Sequence, residues 1–477
     1  MEKYLKQKLI LFFIFVAVFL IQGSVFAQTK TLTLDEAINT ALKNNRDIII
    51  AALNVTKAEA AVDEAFGYAL PSVDVSANFS HFLQKPKMSF PDFEALLTNA
   101  TYGILFDEGV LPVDNSKFRP MDNKLQSFAQ TNNYEAKLQL TQTLFNSAVF
   151  NGIGASKIYV DLSKEELKRI VSETILNVKK AFYGVLLTKN LYEITNLSFL
   201  NARNNLNNVK AYQKEGLVSE FDLLQAEVRV ENIRPALLQM ENALKNAKDG
   251  FKIILGVEQS EDIDVVGGFE YEPSIIPSVG ETVEHALQTN YSLKSLKLKR
   301  DVDEAFIDLD LAEYWPSLYG FANYSYAGSS DNLKFNNYSS AMVGVTFSIN
   351  LFMGGQTKNR VEQSQIAVKQ TEHQIGMFED FISSQVKQKL NELKKVEALV
   401  EAQERNVNLA TRAYEIATIR YKEGTGNQLE IENADIALRQ ARTNRLQAVY
   451  DYIVAKSELD QLLGGSIDDY MNIFEKN

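Results

Sequence analysis

The sequence predicts a mainly helical chain with a membrane β-barrel portion, in which long coiled-coil helices accompany four strands per chain. Three observations carry this. The architecture is duplicated within the chain, two proline-poor tracts run for 70 residues each, and four short segments alternate apolar and polar residues. The duplication comes first. Residues 36–80 align without a gap on 281–325 at an offset of 245. Glu36, Ala41, Leu42, Asn45, Pro71 and Ser72 return as Glu281, Ala286, Leu287, Asn290, Pro316 and Ser317. A second block repeats at offset 208, where Glu215, Gly216, Leu255 and Gly256 return as Glu423, Gly424, Leu463 and Gly464. Each half reads helix, strand, strand, helix, turn, helix. The expected organisation is a first repeat over 28–256, a linker over 257–280, a second repeat over 281–464 and a tail over 465–477.

Residues 1–27 read as a secretory signal peptide. Lys3, Lys6 and Lys8 precede an apolar run from Leu9 to Ile21, and Val25 and Ala27 suit cleavage before Gln28. That run is too short for a permanent anchor, which takes about 20 apolar residues. The leader takes three Lys and one Glu from 49 basic and 61 acidic residues, leaving 46 and 60, a net charge of −14. So acidic a chain argues against nucleic acid as a partner. The chain has no cysteine, which excludes disulfides, thiol catalysis and a lipidated N-terminal cysteine.

The first helix is expected over 36–70. The strand at 73–79 sets Val73, Val75, Ala77 and Phe79 against Asp74, Ser76 and Asn78. A long loop over 81–133, with Pro86, Pro91, Pro112 and Pro120, separates it from the strand at 134–144. We read it as an extracellular loop, either covering a barrel mouth or simply solvated. The tracts 146–215 and 354–423 predict helices of about 105 Å at 1.5 Å per residue. The helices 36–70 and 217–256, end to end, match one such length, and Pro235 is expected to kink the latter. Val386, Leu393, Val400, Val407, Tyr414 and Tyr421 keep one seven-residue register, as in a supercoiled pair. The linker region 253–293 holds eight acids and no Lys or Arg, which reads as a solvated segment or an adaptor-docking surface. The second-half strands fall at 318–326 and 341–351.

Each strand is about 10 residues long, enough to cross a bilayer when tilted. Four strands cannot close a barrel, and open edges in lipid leave backbone groups unpaired. Oligomerisation must supply the rest: two copies give eight strands and three give twelve. The helical wall favours three.

Enzyme signals are lacking. His81, His285 and His373 match no metal spacing, and no phosphate-loop or nucleophile pattern occurs. No catalytic group, metal or cofactor is expected. A duct instead needs a constriction whose charge decides what passes. The turns at 215–219 and 423–427, with Gly216, Gly424 and Gly426, are the expected tips. Asp222 and Glu430 stand six residues after Gly216 and Gly424, where an oligomer would gather them into rings. Both also suit capping of a helix first turn.

The stretch LTLDEAI from Leu32 to Ile38, Ala41, Leu42 and Asn45 resembles the start of TolC-type outer-membrane factors. So do Pro71 and Ser72 before a strand, the run Leu351 to Gly355 after one, and Tyr421 to Gly424 followed by Leu429 to Ile431. The resemblance covers nearly all of the chain beyond the leader. It implies a homotrimer with a twelve-stranded barrel in the outer membrane of a Gram-negative bacterium and a helical tunnel in the periplasm. Such proteins are exit ducts of tripartite efflux pumps or of type I secretion systems, served by a periplasmic adaptor and an inner-membrane transporter. A non-conducting structural or adhesive envelope trimer is the reading from another class.

Departures stand beside this. The proline common before the family's Phe-x-Gly-Gly is missing around Asn350, and Phe145-Asn146-Ser147 stands where Gly-Gly is expected in the first half. The family's tip bonds place Tyr421 and Asp222 in named roles. The family's Arg position holds Gly426 and a second carboxylate position holds Asn433, so that charge pair is not expected. Tyr421 and polar contacts alone are expected to hold the tip.

Overall fold

The computed structural model describes residues 30–273, 277–465 and 467–471. The signal peptide and most of the expected tail lie outside the described residues. In chain order the elements are β1 (Lys30–Leu32), α1 (Leu34–Asn44), α2 (Arg46–Gly67), β2 (Ser72–His81), β3 (Met88–Pro91), α3 (Phe93–Asp107), β4 (Asn123–Gln126) and β5 (Asn132–Asn146). Then come α4 (Ser147–Lys214), α5 (Glu220–Leu255), β6 (Ile263–Val265), α6 (Val279–Thr289), α7 (Tyr291–Leu311), β7 (Ser317–Ser330), β8 (Asn336–Ser348), α8 (Gln356–Lys422), α9 (Gln428–Leu462) and α10 (Asp468–Met471). They form two compact units that cut across the repeats. One holds 63–154 and 307–362, the other the rest.

In the helical unit the expected helix 36–70 is broken. Thr33 caps α1 with a capping box to Glu36, and Asn45 then turns extended at φ −63°, ψ 127°. The Asn45 side chain starts α2. Its Oδ1 accepts from the backbone N–H of Asp47 at 2.9 Å, and its Nδ2 donates to the carbonyl of Ile254 at 2.8 Å. Asn290 does the same in the second repeat. It separates α6 from α7, accepts from the Leu293 N–H at 3.1 Å and donates to the Leu462 carbonyl at 3.1 Å. The recurrence of this asparagine therefore has a cause. It breaks one helix and ties the break to the end of another.

Gly256 and Gly464 close the same joints. Both are left-handed, at φ +71° and +73°. A Cβ at Gly256 would stand 2.2 Å from the Asn44 carbonyl oxygen, and one at Gly464 2.6 Å from that of Thr289. Only glycine meets both conditions. The core packs around each joint. Ile38, Leu42 and Ile48 meet Val171, Val178 and Phe182, and Ala286 and Leu293 meet Val386, Leu390 and Tyr452.

Helices α4 and α8 contain 68 and 67 residues, about 100 Å each. The heptad register of α8 faces the core: Val386, Leu393 and Val400 are buried. Val407, Tyr414 and Tyr421 on the same register are half-buried, so packing loosens along the helix. Helix α5 runs unbroken through Pro235. The linker is less solvated than its acids suggest. Ile263 and Val265 are buried, β6 pairs in parallel with β1, and Asp264 is held by Lys189 at 2.7 Å and Lys248 at 3.0 Å.

The other unit is built on one antiparallel sheet in the order β2-β5-β7-β8. Its strands have 10, 15, 14 and 13 residues. Apolar rows cross all four strands: Val73, Leu140, Ala322 and Val343 pair in sequence, as do Val75, Leu138, Tyr324 and Ala341. Between them runs the row Asp74, Gln139, Asn323 and Met342. The apolar residues are largely bare, with Val75 77 % and Val343 81 % exposed. Strand β8 ends at Ser348, short of the expected 351, and begins earlier, at Asn336. The expected loop 81–133 carries structure of its own. Strands β3 and β4 pair antiparallel across helix α3 of 15 residues, which Asp92 caps. Its base is pinned to the β7–β8 turn. Asp331 pairs with Lys85 and accepts from the backbone N–H and hydroxyl of Thr131, and these bonds lower its pKa to about 2.

Candidate functional site

Two turns lie in the helical unit where α4 meets α5 and where α8 meets α9. Gly216 and Gly424 make them possible, at φ +71° and +73°. In the first, the Leu217 N–H donates back to the Tyr212 carbonyl at 2.9 Å, closing the helix end. Ser219 then caps α5. Its hydroxyl donates to the Asp222 carboxylate at 2.6 Å, and the Ser219 N–H donates to the same oxygen at 3.0 Å. These two bonds hold the Asp222 carboxyl below its ordinary value. The capping role weighed for Asp222 is therefore realised in the geometry.

The second turn is built differently. Asn427 caps α9 by accepting from the Glu430 N–H at 3.0 Å. Arg420 reaches across the turn, pairing with Glu430 at 3.1 Å and donating to the Thr425 carbonyl at 3.2 Å. The pair expected to be missing, with an Arg at position 426, is missing; a different charge pair forms within this turn, through Arg420. Gly426 is part of the reason. A Cβ there would come within 3.0 Å of the Arg420 Cβ and 3.1 Å of the Glu430 carboxylate. A side chain at 426 would have to push that pair aside.

Behind the turns a cavity of about 310 Å³ separates the hairpins. Tyr421 lines it with Tyr212 and Tyr414. Burial first, then the nearby Tyr212 and Asp222, pushes the Tyr421 phenol above its ordinary value, so it remains a neutral donor at neutral pH. Two polar atoms of the lining, Asn205 Nδ2 and Gln428 Oε1, are buried without a partner. Asn433 is exposed on α9 and is absent from this lining.

At the cavity wall Arg229 of α5 meets Asp435 of α9 at 2.8 Å, with 11 % and 12 % of their side chains exposed. This pair joins the first repeat to the second, and sequence reasoning missed it. One signal was present. Asp435 lies on the seven-residue register of the buried Val449, an unusual place for a carboxylate. No group of three or more His, Asp or Glu side chains among the described residues is placed to hold a metal ion. No described helix is long and apolar enough to cross a membrane.

A four-stranded antiparallel sheet with bare apolar rows, in a chain that also carries duplicated helical hairpins, points to the class of outer-membrane channel proteins. The chain belongs to the outer membrane efflux protein family, whose description matches residues 37–257 and 282–465. Outer membrane protein TolC of Vibrio cholerae is 26 % identical over 305 residues, 63 % of this chain and 69 % of that protein. Alkaline protease secretion protein AprF of Pseudomonas aeruginosa is 23 % identical over 347 residues, 70 % of each chain. Among solved structures, the Campylobacter jejuni CmeC outer membrane channel superposes with a TM-score of 0.71 at 17 % identity, covering 93 % of this chain and 89 % of that one. CusC gives 0.68 at 17 % identity, covering 93 % and 96 %. The open state of the Neisseria gonorrhoeae MtrE outer membrane channel gives 0.66 at 13 % identity, covering 91 % and 89 %. The fold is that of these channels, and the chain is an outer-membrane exit duct.

Proposed function

We propose that three copies close one twelve-stranded barrel and one helical tunnel, forming the passive exit duct of a tripartite efflux system. An inner-membrane transporter supplies the energy, and a periplasmic adaptor docks on the tunnel. The observation that carries this is the sheet itself. Its apolar rows are bare, and β2 and β8 are left as open edges. In lipid such edges must be paired by neighbouring copies.

The constriction is assigned to the two glycine turns, with Asp222, Tyr421, Glu430 and, more distantly, Asn433 around it. In a trimer each carboxylate recurs three times, and a ring of like charges favours cations. Arg420 offsets part of the Glu430 charge at 3.1 Å and holds its carboxylate in place. Catalysis is not part of this reading, and no metal or cofactor enters it.

Type I protein secretion is the second reading, favoured by the likeness to a protein whose name is alkaline protease secretion protein. Both readings need a conducting trimer. The test is the oligomeric mass of the mature protein in detergent, followed by planar-bilayer recording. A trimer giving cation-selective current supports the duct. A monomer that never enters lipid contradicts it. Complementation then separates the two readings: restored resistance to small toxic compounds supports efflux, and restored export of a protein substrate supports secretion.

A further inference from the structure

A second and larger cavity, of about 700 Å³, lies in the helical unit among α4, the α6–α7 joint and the C-terminal end of α9. This volume is typical of small-molecule sites. Its wall is basic, in a chain that carries 61 acids against 49 bases. Lys168 and Lys179 come from α4, Lys294 from α7, and His285 from α6. Lys168 and Lys179 lie more than 100 residues upstream of the α6–α7 joint, so the fold brings the lysines of two distant segments together.

The charges are poorly compensated. Lys168 has Glu165 at 3.3 Å. Lys179 and Lys294 have no ion-pair partner among the described residues, and Lys294 rests over the Tyr291 ring at 5.4 Å. The lining holds one carboxylate, that of Asp460. Crowding by surrounding protein pushes its carboxyl above the ordinary value, against the pull of Lys179 and Lys456. Buried Ser457 adds a hydroxyl to the wall. A concave site with surplus ammonium groups concentrates anions and can hold them by charge-assisted hydrogen bonds.

The joint itself does not require these groups. At offset 245 the first repeat has Thr40 in place of His285 and Ile49 in place of Lys294. That joint nonetheless makes the same asparagine bond and the same glycine contact. His285 and Lys294 are thus additions to the second joint.

We infer that this cavity is a binding site for a small soluble anion bearing phosphate or carboxylate groups. The inference does not rest on the conduction pathway or on the identity of the transporter. The test is calorimetric titration of the full mature protein at low ionic strength, with inorganic phosphate and with citrate as separate probes. Saturable binding of either is expected. Lys294→Met should weaken it about tenfold, the worth of one charge-assisted bond, and Lys179→Met with Lys294→Met should weaken it further. Lys57→Met, on α2 outside the cavity, should leave it unchanged. Asp460→Asn should tighten it, which gives a gain that misfolding cannot mimic. Phosphate responding where citrate does not would assign the site to phosphate groups, and the reverse to carboxylates. No saturable binding of either probe overturns the inference, as does binding that Lys294→Met and Asp460→Asn leave untouched.

Discussion

The two ends of α5 follow different rules. At the Gly256 end the first repeat is built like the second. Asn45 and Asn290 each donate to a carbonyl, of Ile254 and Leu462, and a left-handed glycine packs against the backbone of the residue before each asparagine. At the other end the copies diverge. Ser219 and Asp222 form a closed capping box, whereas Arg420 and Glu430 form an ion pair across a turn that Gly426 keeps open. Asp435 and Arg229 then join the hairpins with no counterpart at offset 208, where Glu227 and Ala437 stand. A joint that only has to bend a wall twice is kept twice. On the proposed reading the tip carries the constriction, and there the copies are free to differ.

This contrast can be broken by substitution. The largest effect is expected at the joint glycines. Gly256→Ala and Gly464→Ala combine a left-handed backbone with a Cβ placed against a carbonyl, and each should cost about 3 kcal/mol or more in thermal unfolding of the mature protein. Gly216→Ala and Gly424→Ala have the same backbone but nothing within 4 Å of the new Cβ. Each should cost about 1 kcal/mol. Equal losses at all four positions would remove the distinction between joint and tip.

Arg229→Met comes next. It strands Asp435 in a nearly buried site and should destabilise by about 3 kcal/mol. Arg229→Met combined with Asp435→Leu should recover most of that loss, since the uncompensated charge is gone. Hydrogen exchange at the tip ends of α5 and α9 would locate the change. Asn45→Ala and Asn290→Ala should each cost about 1–2 kcal/mol, and by similar amounts, because their bonds are the same.

The smallest expected effect is a pH response at the first turn. The bonds from Ser219 lower the folded-state pKa of Asp222. Its capping contribution is therefore complete above the unfolded aspartate value of about 3.9 and fades as pH falls through the lower folded value. Stability near neutral pH should not change from this source. Carboxyl titration followed by NMR should show Ser219→Ala returning Asp222 toward the ordinary value.

Much of the fold was legible because duplication and periodicity are local or evenly spaced signals. The four strands and both long helices fell within a few residues of their expected places. The break at Asn45 was not legible. The residue was visible as a recurrence, but its partner carbonyl lies 209 positions away. Helix α3 was hidden by the prolines around it, although Asp92 followed by the apolar run from Phe93 carries an N-terminal signal. At the tip, the turn spacing and the resemblance make Asp222, Tyr421 and Glu430 candidates, and the structure places them at or near the two turns. Arg420 was not legible because the resemblance points to position 426, and Arg229 because opposite charges 206 residues apart leave no local trace.

The claim that the tip turns form the constriction is tested most directly by single-channel recording of the mature protein in a planar bilayer, beside Arg420→Ala and Glu430→Gln. Small cation-selective currents are expected from the unmodified protein. Arg420→Ala should raise current and cation selectivity by freeing the Glu430 carboxylate, and Glu430→Gln should lower the selectivity. Currents that neither substitution alters, from variants that remain trimeric, would place the constriction elsewhere and contradict the account.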